Sequence, residues 1–301
     1  MSAPLAVPRS LAEALRALDD DPAATVLAGG TDLMVDVNAG RHRPTSVVSL
    51  TRVPELAGWR REGDEVVLGA CLTYADMERG ELATLVPALA QAARTIGSPQ
   101  IRAAATLGGN IGTASPAGDT LPVLAALDAV VELAGRSGVR RVGLDELIVG
   151  VKQTSLRPGE IVTAVRLPVL RGGQEFLKVG SRNAMVISVV IVAVVVDLDG
   201  RTVRAALGSV APVPLRAREA EEYVGAHVDW SRGEVSGPEV ALRFGALCAA
   251  ATTPIDDHRS SADYRRQAVA VCASRALSRV LPPPNQETPR GGDRDDGHGD
   301  L

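Results

Sequence analysis

The chain has 301 residues, 46% hydrophobic and 23% charged, enough to bury one large core or two to three smaller ones, so it reads as globular. Its net charge of −4 gives no broad basic footprint, which sets aside nucleic acid and anionic membrane surfaces as partners. Cys71, Cys248 and Cys272 are too few and too widely spaced for a CxxC metal site, an iron–sulfur cluster or a disulfide framework, so any iron–sulfur centre would sit on another chain.

In chain order, Met1 to Arg9 lacks the basic and long apolar regions of a signal peptide, which reads as a cytoplasmic protein. Ser10-Leu11-Ala12-Glu13 predicts a capping box that opens an amphipathic helix, with Leu11, Ala14, Leu15 and Leu18 at helical spacing until Asp19-Asp20-Asp21-Pro22. Thr25 to Ala28 predicts a buried strand stopped by Gly29-Gly30, and Ser46 to Leu50 predicts another. A strand over Glu65 to Ala70, a cap at Thr73 to Asp76 and a helix from Thr84 to Ile96 follow. From Gly97 to Gly118, glycines mixed with Ser98, Pro99, Ser115 and Pro116 break every period and predict a long loop. Its apolar Ile101, Leu107 and Ile111 favour a functional loop over a disordered one.

Asp119 to Leu127 returns to helical spacing, and Glu160 to Leu167 alternates as a strand closed by Pro168. Arg171-Gly172-Gly173 predicts a hinge and a domain boundary. The apolar run Val189 to Val196 is far shorter than the roughly 20 residues that span a bilayer, and its β-branched content predicts a buried strand. Strands over Ser188 to Leu198 and Thr202 to Gly208 are expected to join through a type I′ turn at Asp199-Gly200. Two helices should follow, the second opening at Ser260 to Asp263 with Val269, Cys272, Ala276 and Val280 on one side. From Pro282 onward, residues 282–301 lack apolar anchors and read as a disordered tail.

Two motifs carry chemistry. Paired glycines after a buried strand let the backbone approach a ligand and aim its N–H groups at one point, as a pyrophosphate requires. Gly29-Gly30 and Gly108-Gly109 both qualify, each followed by a polar donor, Thr31 or Asn110, although a lone pair of this kind also marks a plain turn. Neither is a GxGxxG fingerprint, and no P-loop or GxSxG elbow occurs. Asp119 stands at a helix start, where capping is the expected role and hydrogen bonds to a ligand the alternative. Lys178 is one of only two lysines, with Lys152, and reads by default as an exposed surface residue that could also serve as a cation near a ligand. His42, His227, His258 and His298 have no metal-ligand spacing, so no metal site is assigned.

Five segments in order resemble the FAD-binding medium subunits of carbon monoxide dehydrogenase, xanthine dehydrogenase and related molybdenum hydroxylases. They are Leu27-Ala28-Gly29-Gly30-Thr31-Asp32-Leu33, Ile96 to Arg102 running into Ala105 to Ile111, Ala114 to Pro122, Gly159 to Val162 with Arg166-Leu167-Pro168, and Asp256 to Ser260 with Tyr264-Arg265-Arg266. The resemblance covers roughly Leu5 to Leu281. It implies an α+β chain: a two-subdomain PCMH-type (vanillyl-alcohol-oxidase-like) FAD-binding fold over 1–170, divided at about 1–55 and 56–170. A C-terminal domain over 174–281 with an antiparallel sheet and helices follows. It implies FAD as cofactor. Val26, Leu27, Ala28, Gly29, Gly30, Thr31, Asp32 and Leu33, with Thr106, Leu107, Gly108, Gly109 and Asn110, would contact its pyrophosphate and adenosine. Asp119, Val162 and Lys178 would approach the flavin end, and Ile96 would pack near the ring. No catalytic base of this chain is implied. The implied partners are an iron–sulfur small subunit and a molybdopterin large subunit, with NAD or a quinone as electron acceptor. A stand-alone FAD-dependent oxidase or dehydrogenase, and a non-catalytic scaffold whose glycine pairs are only turns, are the alternatives.

Overall fold

A computed structural model describes residues 3–284, so the tail expected to be disordered lies, from position 285 on, outside the described residues. The first sheet uses β1 (Leu5–Ala6), β2 (Thr25–Leu27) and β3 (Val47–Ser49), joined by α1 (Leu11–Asp20) and α2 (Leu33–Asn38), in the parallel order β1-β3-β2. Ser10 caps α1 by accepting the Glu13 N–H at 3.2 Å, but the Glu13 carboxylate accepts from the Arg9 N–H at 2.8 Å, so the box closes one residue early.

Next come β4 (Trp59–Glu62) and β5 (Glu65–Gly69), then six short helices: α3 (Tyr74–Met77), α4 (Gly80–Leu85), α5 (Pro87–Arg94), α6 (Pro99–Ala104), α7 (Leu107–Thr113) and α8 (Thr120–Ala126). The chain returns as β6 (Val130–Gly135), β7 (Gly138–Gly143), the turn α9 (Leu144–Leu147), a small hairpin of β8 (Ile148–Gly150) and β9 (Gln153–Thr154), and β10 (Ile161–Pro168). The resulting antiparallel sheet has the order β4-β5-β10-β6-β7. Two expectations change here. The helix read over Thr84 to Ile96 is split at Val86, because Pro87 has no N–H to continue a helix and is suited to begin one. The long loop read over Gly97 to Gly118 holds α6 and α7, started by Ser98 and Thr106 side chains that accept the N–H of Ile101 and Gly109.

The last region builds the antiparallel sheet β11 (Gln174–Val179), β12 (Val190–Asp197), β13 (Thr202–Gly208) and β14 (Leu215–Arg216). Asp197 pairs with Thr202 across four residues, and Arg201 takes the left-handed turn at φ 50°, so the two-residue turn expected at Asp199-Gly200 does not form. Three helices follow, one more than expected: α10 (Arg218–Gly225), α11 (Pro238–Ala250) and α12 (Ala262–Val280), with the hairpin β15 (Val228–Asp229) and β16 (Glu234–Val235) between the first two. The apolar run read as a buried strand is β12, and it is apolar throughout because both faces are covered. Ile191, Ala193 and Val195 join the core beneath α8, while Val190, Val192, Val194 and Val196 join the core shared with α11 and α12. The chain is therefore a mixed α+β fold. No helix among the described residues is long and apolar enough to cross a membrane.

Candidate functional site

A cleft of about 710 Å³ opens where the first sheet, the α6–α7 region, the start of β10 and the β11–β12 connection meet. That size lies within the range of small-molecule and cofactor sites. Of the residues singled out from sequence, Val26, Leu27, Ala28, Gly29, Gly30, Thr31, Asp32, Leu33, Ile96, Thr106, Gly108, Gly109, Asn110, Asp119 and Val162 line it. Leu107 does not: it is fully buried in the core behind the wall. Lys178 does not either, standing behind Asp119.

The first wall is the loop from β2 to α2. Gly30 turns it in the left-handed region at φ 72°, and a Cβ on Gly29 would overlap the Ala104 carbonyl, so this loop lies backbone to backbone against the end of α6. The N–H groups of Gly29, Gly30, Thr31 and Asp32 have no acceptor among the described residues. They are available to an anionic ligand in the cleft.

The second wall uses its glycines differently. Gly108 and Gly109 sit in the first turn of α7, after a helix and not after a strand as expected. Their N–H groups are consumed, Gly108 by the Ala70 carbonyl at 2.7 Å and Gly109 by Thr106 Oγ1 at 3.1 Å. A Cβ on Gly108 would stand 2.7 Å from the Ala70 Cβ, so this glycine lets α7 pack on the end of β5. Gly109 and Gly112, three residues apart and both lining the cleft, leave one face of α7 bare of side chains. Asn110 Oδ1 accepts from Thr120 Oγ1 at 2.5 Å, which leaves its amide N–H groups for the cleft. Thr113 Oγ1 donates to Asp32 Oδ2 at 3.2 Å and ties the two walls together.

At the far end, Asp119 and Lys178 overturn their default readings. Asp119 makes no side-chain capping bond to α8; it pairs with Lys178 Nζ at 2.6 Å, both side chains 8% exposed, and Lys178 also donates to the Thr95 carbonyl at 3.3 Å. The other carboxylate oxygen of Asp119, Oδ1, is buried without a partner. Burial pushes this carboxyl above the usual range, opposed by the Lys178 ammonium. Tyr74, nearly fully buried and also lining the cleft, is raised by burial and then by the carboxylates of Asp119 and Asp32.

Sequence reasoning missed several lining residues. Cys71 and Tyr74 follow β5, and burial lifts the Cys71 thiol to about 11. Glu160 is held by Arg140 at 2.9 and 2.8 Å and by the Arg157 N–H at 2.8 Å. That arginine pair, foremost, holds its carboxyl below the usual range. A bulge in β10 between Val162 and Ala164 breaks the pairing with β6 beside the cleft. Met185, Val186 and Ile187 reach the cleft from the β11–β12 connection, a contribution from far along the chain that no local pattern signals. Among the described residues, the lining includes Asp32, Asp119 and Glu160 but no lysine or arginine. No group of three His, Cys, Asp or Glu among them is placed to hold a metal ion.

Comparison with known proteins bears directly on this cleft. Residues 2–170 match the family model described as the FAD binding domain in molybdopterin dehydrogenase, and residues 175–280 match the CO dehydrogenase flavoprotein C-terminal domain. The glyceraldehyde dehydrogenase medium chain of Sulfolobus acidocaldarius is 31% identical over 275 residues, covering 90% of this chain and 95% of that one. The carbon monoxide dehydrogenase medium chain of Afipia carboxidovorans is 33% identical over 287 residues, covering 91% and 94%. A crystal structure of the Cu,Mo-CO dehydrogenase in its cyanide-inactivated form superposes with a TM-score of 0.84 at 30% identity, over 93% of this chain and 98% of that one.

Proposed function

This chain belongs to the family of FAD-binding medium subunits of the carbon monoxide dehydrogenase and xanthine dehydrogenase type, and from that premise we propose that its cleft holds FAD as the exit station of a larger complex. The carrying observation is the division of labour along the cleft. The N–H groups left unpaired at Gly29 to Asp32 belong to one part of the lining, Asp119, whose buried Oδ1 has no hydrogen-bond partner, belongs to another, and the bare α7 face of Gly109 and Gly112 lies beside them. With no cation in the lining, the diphosphate charge would be met by backbone N–H groups of the first loop and the Asn110 amide. Asp119 Oδ1 would accept an N–H of the flavin ring system, with Lys178 pairing the other carboxylate oxygen and opposing the effect of burial. Ile96 and Val162 would supply apolar contact.

FAD, when bound, supplies the exchange between single electrons and electron pairs. The chain's own residues bind it, orient it and shield it; none is required as a base toward an organic substrate. In this reading a molybdenum–pterin centre on a large subunit oxidises the substrate. A small subunit carries the electrons on [2Fe–2S] clusters, and an acceptor such as NAD or a quinone takes them up at this chain. A cytoplasmic location goes with it. We also read the chain as a PCMH-type domain over 1–170, with subdomains 1–55 and 56–170, and a C-terminal domain over 174–281. The separate sheets over Leu5–Ser49, Trp59–Pro168 and Gln174–Arg216 support that division.

The test is the absorption spectrum of the purified chain, identification of the released cofactor, and co-purification from cells that express its partners. Stoichiometric FAD and an associated iron–sulfur protein are expected. A colourless chain that cannot be reconstituted with FAD would sink the reading. Turnover of a small molecule without molybdenum or iron would replace it with a stand-alone flavoenzyme.

A further inference from the structure

The helix α8 lies by sequence in the first matched region, yet residues of the second hold both its ends. Ahead of its first residue, Asp119 meets Lys178 of β11. Just past its last, Asp128 sits in the left-handed region at φ 48° and takes Arg204 of β13 at 2.9 Å and Arg216 of β14. Arg216 also donates to the carbonyl of Ala125, in the last turn of α8, at 3.0 Å, satisfying a group that the helix leaves open. Behind it, the buried Glu221 of α10 fixes the Arg216 guanidinium at 2.6 and 2.9 Å and accepts the Ala205 N–H at 2.9 Å. Between these ends, Leu121, Pro122, Val123 and Leu124 are buried, and a Cβ on Gly208 of β13 would stand only 2.6 Å from Pro122 Cγ.

We propose that Asp128, Arg204 and Arg216 form a latch that positions Asp119 in the cleft through α8, so that the C-terminal region sets the flavin environment from a helix length away. The proposal rests on the FAD reading of Asp119. A helix of this length is a rod of roughly 10 Å that transmits an axial displacement from one end to the other. Its close fit on β13 prevents the shift from being absorbed by loose packing. Removing Asp128 leaves Arg204, whose Nη1 already lacks a partner, and Arg216 to rearrange around the end of α8. Asp119 then leaves its aim, and small misplacements of a positioning group are enough to matter.

The test uses the full chain expressed with its partners. FAD dissociation constant, flavin midpoint potential and thermal midpoint are measured for the wild type, Asp128→Ala, Asp119→Ala and the double variant, with Asp128→Asn as a milder substitution should Asp128→Ala fold poorly. The latch predicts that Asp128→Ala weakens FAD on the order of tenfold and moves the potential, and that it adds nothing in the Asp119→Ala background. A lowered thermal midpoint with unchanged affinity and potential, or the same loss in both backgrounds, overturns the latch alone. If Asp119→Ala itself leaves FAD binding and potential unchanged, the flavin role of Asp119 and the latch fall together.

Discussion

The two glycine pairs are the same dipeptide put to opposite uses. At Gly29-Gly30 the backbone bends with its N–H groups unspent, whereas at Gly108-Gly109 a helix begins and the N–H groups are taken by Ala70 and Thr106. One pair is a donor array. The other removes side chains, so that α7 can seat on β5 with one face and remain flat toward the cleft with the other. A glycine pair therefore states that a Cβ is forbidden without stating which neighbour forbids it.

The largest expected effect comes from Gly29→Val, where the new side chain meets backbone that cannot turn away. It should cost about 3 kcal/mol or more in a denaturant titration and leave the chain without FAD. Gly109→Val is expected to separate the two properties. Its Cβ meets Thr106 Oγ1 at 2.9 Å, so the cap on α7 suffers by about 1 kcal/mol, while the valine intrudes on the flat face and FAD binding is lost. Retention of stoichiometric FAD in that variant would return the second pair to a purely structural role.

Asp119→Ala should weaken FAD by on the order of tenfold in a fluorescence titration, through the lost acceptor. It should also change the pH profile of the apo chain. Burial lifts the Asp119 carboxyl above 3.8, so the native chain keeps a proton that the unfolded chain releases between 3.8 and the raised native value. Stability from that proton falls as pH rises through the window, and the alanine variant should lack this fall. The smallest effect concerns Cys71. With its thiol lifted to about 11, only roughly one in a thousand should be thiolate near pH 8, so alkylation of the native chain should be slow. Addition of FAD should slow it further, and rapid labelling of the native chain with FAD bound would remove Cys71 from the cleft.

What was legible in the sequence had its cause nearby. The stop at Gly29-Gly30, the Thr73–Asp76 capping box and the doubly buried β12 run all follow from neighbours a few residues apart. The helix α7 was hidden because its Gly108, Gly109 and Gly112 each cost about 1 kcal/mol in a helix interior, offset by the Thr106 cap and tertiary packing, and α6 because it spans only Pro99–Ala104, too short to show a period, behind the Ser98 cap. Lys178 read as a surface residue because its partner Asp119 is 59 positions away, and Asp119 read as a cap for the same reason. Leu107 shows the converse: it shares a motif with cleft residues, but its side chain points into the core. The strands β6 and β7 went unmarked, since β7 is a largely exposed run of Gly, Arg and Val that lacks a clean alternation.

The contact of Gly29 with Ala104, reinforced by the hydrogen bond of Thr113 to Asp32, has a kinetic side. Walls held backbone to backbone offer no hinge to swing, so this side of the cleft can widen only when the segment itself comes undone. A ligand held against this wall would feel the frequency of that local opening as well as the strength of individual contacts.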